Sequence, residues 1–395
     1  MIGRTNAGGS VSSGSVGEYK VEFRDIDGEL YAPIQYVNSG DSAVLPSVNP
    51  HYDSDYLEFV EWRVNNGESL SNVQKDIIAL PLYRTKYSET LQQRPSYIIG
   101  YFYDTTPLKL QFGLTPTNTY IDWGDSSATE LVSSSTITHT YASNGKYVIT
   151  IYGDNYRLGG NSFYGITDNS INAEHIYKIY YGENAKALSS HYGLRSLKVI
   201  VFPTTLTNLP EFRYAAALKA VVLTNTNNTI SSYAFYNAYS LKYVVHSNAC
   251  TFEGYCFGGC NNLEVCPAIR QYGTIGSASL NFTAIKEITI PSTTTGAYLN
   301  NAYNIKKLTI PQDFNAVIYI YSYINDNELL SVIKKLKDNT GTSAKTITFA
   351  LFYKPRLNIL SVLNGEYVPY GTAGSISLLQ YLTNKNWTVS WGNIN

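Results

Sequence analysis

The residues with the best claim to chemistry stand in two clusters. Asp122, Asp125 and His139 lie close together in a Trp-Gly-Asp … His-Thr-Tyr context, two carboxylates and an imidazole of the kind that serves acid–base catalysis. Cys250, Cys256, Cys260 and Cys266 crowd within one short stretch, with His246 beside them. Their spacings lack the paired C-x-x-C of structural zinc sites, which leaves buried structural thiols, a disulfide or a metal as readings. The other histidines, His51, His175 and His191, are scattered, and the chain contains no H-E-x-x-H, G-x-S-x-G, P-loop or Rossmann glycine string. The string Asp25-Ile26-Asp27-Gly28-Glu29 faintly echoes a calcium loop but lacks the later ligands and the distal glutamate. The expectation is therefore a non-enzymatic chain, with no cofactor and no metal.

Composition points the same way. Of 395 residues, 44% are hydrophobic and 15% charged, with a net charge of -1, which offers no electrostatic footprint for nucleic acid or an anionic membrane. No apolar run reaches the roughly 20 residues that span a bilayer. The opening, MIGRTNAGGSVSSGSVGEY, lacks the apolar core of a secretory signal. Tyrosine is abundant, at 36, while methionine occurs once. Tyr joins an apolar ring to a polar tip, so it suits half-buried strands and contact surfaces alike.

The elements that must position these residues are mostly strands. Residues 1–18, small and Gly/Ser-rich, form a flexible anchoring arm. Tyr19, Val21 and Phe23 then alternate with Lys20, Glu22 and Arg24 up to the Asp27-Gly28 turn, a hairpin signal. The order of that turn, a later proline, Phe59-x-x-Trp62 and the run IIALPLYR resembles the internalin-type B repeat, which implies a small β-grasp-like module over 19–88. Residues 89–105 form a connector ending in the aromatic strand YIIGYFY. Trp123-Gly124-Asp125, His139-Thr140-Tyr141 and Gly145-Lys146-Tyr147-Val148 resemble the polycystic-kidney-disease (PKD) type sandwich. That likeness implies a β-sandwich over 106–155 in which the acidic turn and the His are structural.

The C-terminal half repeats itself. IYKIYY, LKVIVF, LKAVVL, LKYVVH, LEVCPA, IKEITI and IKKLTI start at 176, 197, 218, 241, 263, 285 and 305, intervals of 21, 21, 23, 22, 22 and 20 residues. Such intervals fall in the roughly 20–29-residue range of leucine-rich repeats. An aliphatic residue opens each unit, and apolar residues three and five positions later share strand parity and point inward. With Ala234-Phe235 and Tyr255-Cys256-Phe257-Gly258-Gly259-Cys260, the pattern resembles the BspA-like leucine-rich repeat family. The implied fold is a solenoid over 156–325, closed by an α/β cap over 326–395 in which two helix–strand pairs follow each other. The whole chain is thus expected to be mainly β and multidomain. In this register Cys266 and His246 point inward, and Cys260 sits where the family carries a buried Cys.

The second and fourth strand positions face the other way. Tyr180, Val199, Val201, Val222, Tyr243, Val245 and Val265 make that face apolar where a solvated sheet is polar, and a large apolar patch marks an interface. They form the candidate interaction face, expected to be covered by a second copy of the chain or by a partner. The opening residues and the cap also resemble repeat proteins encoded by bacteriophages. That likeness implies a virion fibre, appendage or decoration protein, docked to other virion proteins through residues 1–18, oligomeric (a trimer by analogy) and presenting the repeats for host attachment. The alternative is a bacterial cell-surface adhesin binding host protein or glycan. Neither reading involves nucleic acid or membrane insertion.

Overall fold

A computed structural model describes residues 17–64, 68–112, 116–154, 156–158, 175–188, 191, 194–206, 209–224, 229–247, 249–267, 269, 274–350, 352–364, 366–368 and 371–392. Of the anchoring arm expected at residues 1–18, residues 1–16 lie outside the described residues, as does the stretch 159–174.

The first module is a four-stranded mixed sheet. Tyr19–Phe23 pairs antiparallel with Gln35–Val37 and parallel with Ile77–Thr85, which pairs antiparallel with Leu57–Arg63. The Asp25–Glu29 segment makes the expected tight turn, with Gly28 N–H donating to the Asp25 carbonyl at 2.9 Å and Gly28 at φ +96°. No helix lies between Gln35–Val37 and Leu57–Arg63, which departs from a β-grasp. Ile77 and Ala79 pack into the module's own core with Val21, Phe23 and Val73, whereas Leu80 and Leu82 belong to a second core shared with the repeats. A strand buried on both faces needs a continuous apolar run, and IIALPL is one.

The second module takes a strand from the expected connector. Ser96–Phe102 pairs with Gly145–Gly153, which pairs with Thr119–Asp122, while Leu108–Gln111 pairs with Thr136–His139. Trp123 and Tyr141 are fully buried; the Trp123 ring stacks on His139 at 4.6 Å and Tyr141 on Phe102 at 5.1 Å. Gly124 sits at φ +74°, and a Cβ there would lie 2.3 Å from the Val148 carbonyl oxygen, so the turn accepts only glycine.

Ser96–Phe102 also pairs antiparallel with Ile176–Tyr180, so the second module's sheet runs without a break into the first parallel strands of the repeats. Those strands, Ile176–Tyr180, Val199–Phe202, Ala220–Leu223 and Tyr243–His246, stand in parallel register with offsets of 21, 21 and 23 residues (Lys178 to Val199, Val199 to Ala220, Ala220 to Tyr243). The unit at 263–267 forms no strand, and Glu287–Thr289 pairs with Lys307–Thr309 beyond it. Pro267 lacks a ladder donor at the matching place. A second parallel sheet of seven strands stacks from Thr229–Ile230 to Trp387–Gly392. Between the two sheets lies one core. It contains every opening aliphatic (Ile176, Leu197, Leu218, Leu241, Leu263, Ile285, Ile305) and every residue three places later, including Cys266.

Helix Asp326–Lys334 is capped by the Asn325 side chain, which accepts from Glu328 N–H at 2.9 Å; helix Leu378–Asn384 is capped likewise by Ser377. Each is followed by a strand that extends the seven-stranded sheet, Lys345–Ala350 and Trp387–Gly392. A further helix, Tyr353–Ile359, stands between them; its Pro355 occupies the first turn, where the missing N–H costs nothing.

Candidate interaction surface

The acid–base cluster has the wrong connectivity for activating a nucleophile. Asp125 stands between its neighbours: His139 Nε2 lies 2.8 Å from one carboxylate oxygen, and the Ser127 hydroxyl and amide donate to the other. Asp125 thus bridges Ser127 and His139, whereas in a triad the His stands between acid and nucleophile. Asp122 is likewise engaged, accepting from Gly124 N–H at 2.9 Å. Burial alone would raise the Asp125 carboxyl, but the Ser127 bonds and His139 outweigh it and hold the group below the ordinary carboxylate range. A carboxylate with a lowered folded pKa contributes stability above its unfolded pKa, and that contribution disappears as pH falls through the folded value. Asp125→Asn is therefore expected to flatten the acid limb of a melting-temperature-against-pH curve; an unchanged acid limb would contradict this role.

The four cysteines are buried thiols in the repeat core, and burial pushes the thiols of Cys256, Cys260 and Cys266 up, away from the reactive thiolate. His246 is buried at its inward position. His191 is buried too, 3.0 Å from the Tyr181 hydroxyl and stacked on Phe212 at 5.0 Å. Among the described residues no group of three or more His, Cys, Asp or Glu is gathered to hold a metal ion.

The apolar strand face is covered, but not by a second copy or a partner. Tyr180, Val199, Val201, Val222, Tyr243 and Val245 are buried in one core with Ile26, Leu57, Leu80, Leu82 and Tyr83 of the first module. The Asp25–Glu29 turn comes down on Tyr243, so close that a Cβ on Gly28 would lie 3.0 Å from its hydroxyl. Asp53 ties the edge: its carboxylate accepts from Lys178 Nζ at 2.6 Å and from the Tyr180 hydroxyl, while Lys178 also lies 4.7 Å over the Tyr52 ring. The patch is apolar because it is an intramolecular interface, so these six residues are not available as an interaction face.

Val265 stands apart. It is half-buried, lining a cleft of about 540 Å³ where the cover ends. Two ion pairs lie in that cleft, Lys75 with Glu68 at 3.2 Å and Lys307 with Glu287 at 3.5 Å. Beyond it the outward positions turn polar, as Glu287, Thr289, Lys307 and Thr309. The sheet is apolar where it is covered and polar where it is open.

The surface that remains open and aromatic lies on the turns. Phe212, Phe235 and Phe257 form a buried stacked column, with centroids 6.4 and 5.8 Å apart, continued by Leu280. Interturn bonds fix the register: Phe212 N–H donates to the Ala234 carbonyl, Phe235 N–H to Cys256 and Phe257 N–H to Ser279. Two places after each column residue the backbone is left-handed, at Tyr214, Asn237, Gly259 and Phe282, with φ of 62°, 59°, 79° and 55°. Two places before, it is left-handed again at Tyr233, Tyr255 and Ala278. Glycine and asparagine fill such positions most cheaply, and a bulky side chain there costs about 1 kcal/mol. Nevertheless Tyr214 and Phe282 put half-exposed rings there, and Tyr255 a partly exposed one.

These rings touch in files. Tyr236 meets Tyr214 at 6.0 Å and Tyr233 at 5.4 Å, and Tyr233 stacks on Tyr255 at 5.1 Å. Farther along, Phe282, Tyr303, Tyr323 and Phe352 follow one another at 6.1, 5.5 and 4.9 Å, one ring per turn. Neither file stood among the sequence-derived candidates. Part of the first file left a signal, since Tyr214 stands two places after Phe212 and Tyr233 and Tyr255 two places before Phe235 and Phe257. Phe282→Asn is expected to raise stability by about 0.5–1 kcal/mol by relieving the left-handed strain. Chemical denaturation measures it, and a loss of stability would show that the ring supports the turn.

No curated protein matches the chain. Residues 187–309, which carry the buried column and most of the ring files, match the BspA type leucine-rich repeat region in six copies, beginning after the first repeat start at Ile176.

Proposed function

We propose that this chain is a non-catalytic adhesion protein whose repeats, read as a solenoid, present their turn side to a binding partner. Repeats of the BspA type suggest a surface adhesion or protein-binding role. The observation that carries the reading is the exposed aromatic turn surface, kept at positions where Asn or Gly would be less strained. Rigid exposed rings give contact area at small entropic cost. The first module, docked on the strand face, contributes by holding the early turns in one arrangement. The PKD-type reading of residues 106–155 assigns that sandwich a spacer role. A virion appendage and a bacterial surface protein are the two carriers compatible with such a display, and mass spectrometry of purified particles against cell envelopes separates them.

The test of adhesion is retention of full-length chain, immobilised on beads, by bacterial envelope preparations and by extracellular-matrix proteins. Saturable retention that free chain competes away is expected. Absence of saturable retention on every surface would overturn the reading.

A further inference from the structure

We infer that a file of lysines along the repeats is a binding site for a linear phosphate polymer. The file takes no residue from the aromatic rings of the turns, so the inference goes beyond the adhesion reading and stands or falls separately from it.

The second residue of five repeat units is lysine: Lys198, Lys219, Lys242, Lys286 and Lys306. Each follows a buried opening aliphatic and immediately precedes a strand, and all five are exposed. Interturn bonds stack them. Lys219 N–H donates to the Lys198 carbonyl at 2.8 Å, Lys242 N–H to that of Lys219 at 2.9 Å, and Lys306 N–H to that of Lys286 at 2.7 Å. At one step of about 4.8 Å per repeat, the file from Lys198 to Lys306 is about 24 Å long. One position breaks it: exposed Glu264 takes the lysine's place in the unit that forms no strand.

Like charges stacked on neighbouring strands repel one another. Among the described residues none of the five lysines enters an ion pair, whereas Lys178, Arg213 and Lys307 do. Lys198, Lys242 and Lys306 instead lie 5.4 Å over the rings of Tyr177, Tyr243 and Tyr323. Solubility is served as well by mixed signs, as at the adjoining Glu287–Lys307 pair. The net charge of -1 conceals the file, because acids elsewhere balance it. A one-signed row kept clear of carboxylates is complementary to an anion that runs along it.

The form of the file selects that anion. It is one charge wide, so it matches a single chain rather than the charged plane of a membrane or the paired backbones of a duplex. Proteins that hold single-stranded nucleic acid set open rings beside the basic track for bases to stack on. Here the rings beside the file lie under its own ammonium groups. A planar carboxylate is best gripped by the guanidinium fork, and the file holds no arginine. An ammonium is a point charge on a flexible four-carbon stem, which suits a phosphate presented at any rotation about its chain. A base-free chain of phosphates meets all of these conditions.

The test titrates full-length chain into end-labelled inorganic polyphosphate, followed by fluorescence anisotropy over a range of salt concentrations. Saturable binding is expected, and log affinity should fall against log salt with a slope of about -3.5, or about -0.7 for each of five lysines. The Lys198→Gln/Lys219→Gln/Lys242→Gln variant is expected to bind roughly tenfold more weakly, with a slope of about -1.4, at an unchanged or higher melting temperature. Glu264→Lys completes the file and is expected to bind roughly threefold more tightly, with a slope steeper by about 0.7. A lysine row serving only solubility or folding would confer no such gain. Poly(glycerol phosphate) is expected to displace the label, and the better competitor of the two phosphate chains identifies the source. Duplex DNA, a thymidylate oligomer, poly-L-glutamate and phosphatidylglycerol vesicles are each expected to displace it more weakly at equal charge. Displacement by any of these four that equals that by poly(glycerol phosphate) overturns the inference. So does absence of saturable binding, or a salt slope that the triple substitution leaves unchanged. Polyphosphate binding without bead retention by envelopes supports this inference and removes the adhesion reading alone.

Discussion

Val222→Lys combined with Val245→Lys is expected to lift the first module off the repeats. Both side chains are fully buried in the core shared by Leu80, Leu82, Tyr83 and the repeat strands. An ammonium placed among these apolar side chains loses its hydration, and an uncompensated buried charge costs about 3–5 kcal/mol. Undocking the module is the cheapest relief, because the inward core of Val221 and Val244 on the other side of the same strands is untouched. The expected signature is rapid proteolysis within residues 19–88 and increased binding of a hydrophobic dye, with the parallel-strand circular dichroism retained. Unchanged proteolysis and stability would mean that the face is open to water.

Phe235→Ala is the second large effect. Its ring lies between Phe212 and Phe257 and is wholly buried, so truncation leaves a cavity in the middle of a column that crosses three repeats. Loss of a buried phenylalanine costs about 3–5 kcal/mol, from lost transfer free energy together with the cavity. Because repeats are stabilised by their nearest neighbours, the loss is expected to spread to the flanking turns and to split the unfolding transition. Hydrogen exchange at 212–214 and 255–257 would rise along with that at 235. A drop below about 1 kcal/mol, confined to one turn, would contradict the stacked column.

Much of this architecture can be read from residue pattern. The inward columns are visible because two constraints coincide: an interval near 22 residues, and the parity that puts positions three and five on one side of a strand. The capped helices at Asp326 and Leu378 carry their own signals, Asn325 and Ser377 at the N-cap. The apolar strand face was legible too, as Val199, Val201, Val222, Tyr243 and Val245. Its cover was not, because docking one module on another depends on surface shape rather than on local periodicity. A hint lay in the complementary run IIALPLYR, apolar at both parities and therefore buried on both faces. The strand Ser96–Phe102 hides in an apparent connector because it serves two modules, pairing with Gly145–Gly153 on one side and Ile176–Tyr180 on the other. The ring files escape a search for amphipathic pattern, since turns have neither the period of a strand nor that of a helix. They emerge only when left-handed backbone is compared between repeats.

The strand face is closed by the chain's own first module, and the turn side is left open. Maleimide labelling of single cysteines tests it directly, since the native thiols are buried and, at Cys256, Cys260 and Cys266, raised in pKa. Val222→Cys is expected to label only after denaturation, while Tyr239→Cys, at an exposed turn position, labels at once in the native chain. Equal native labelling rates at the two sites would contradict the closed face.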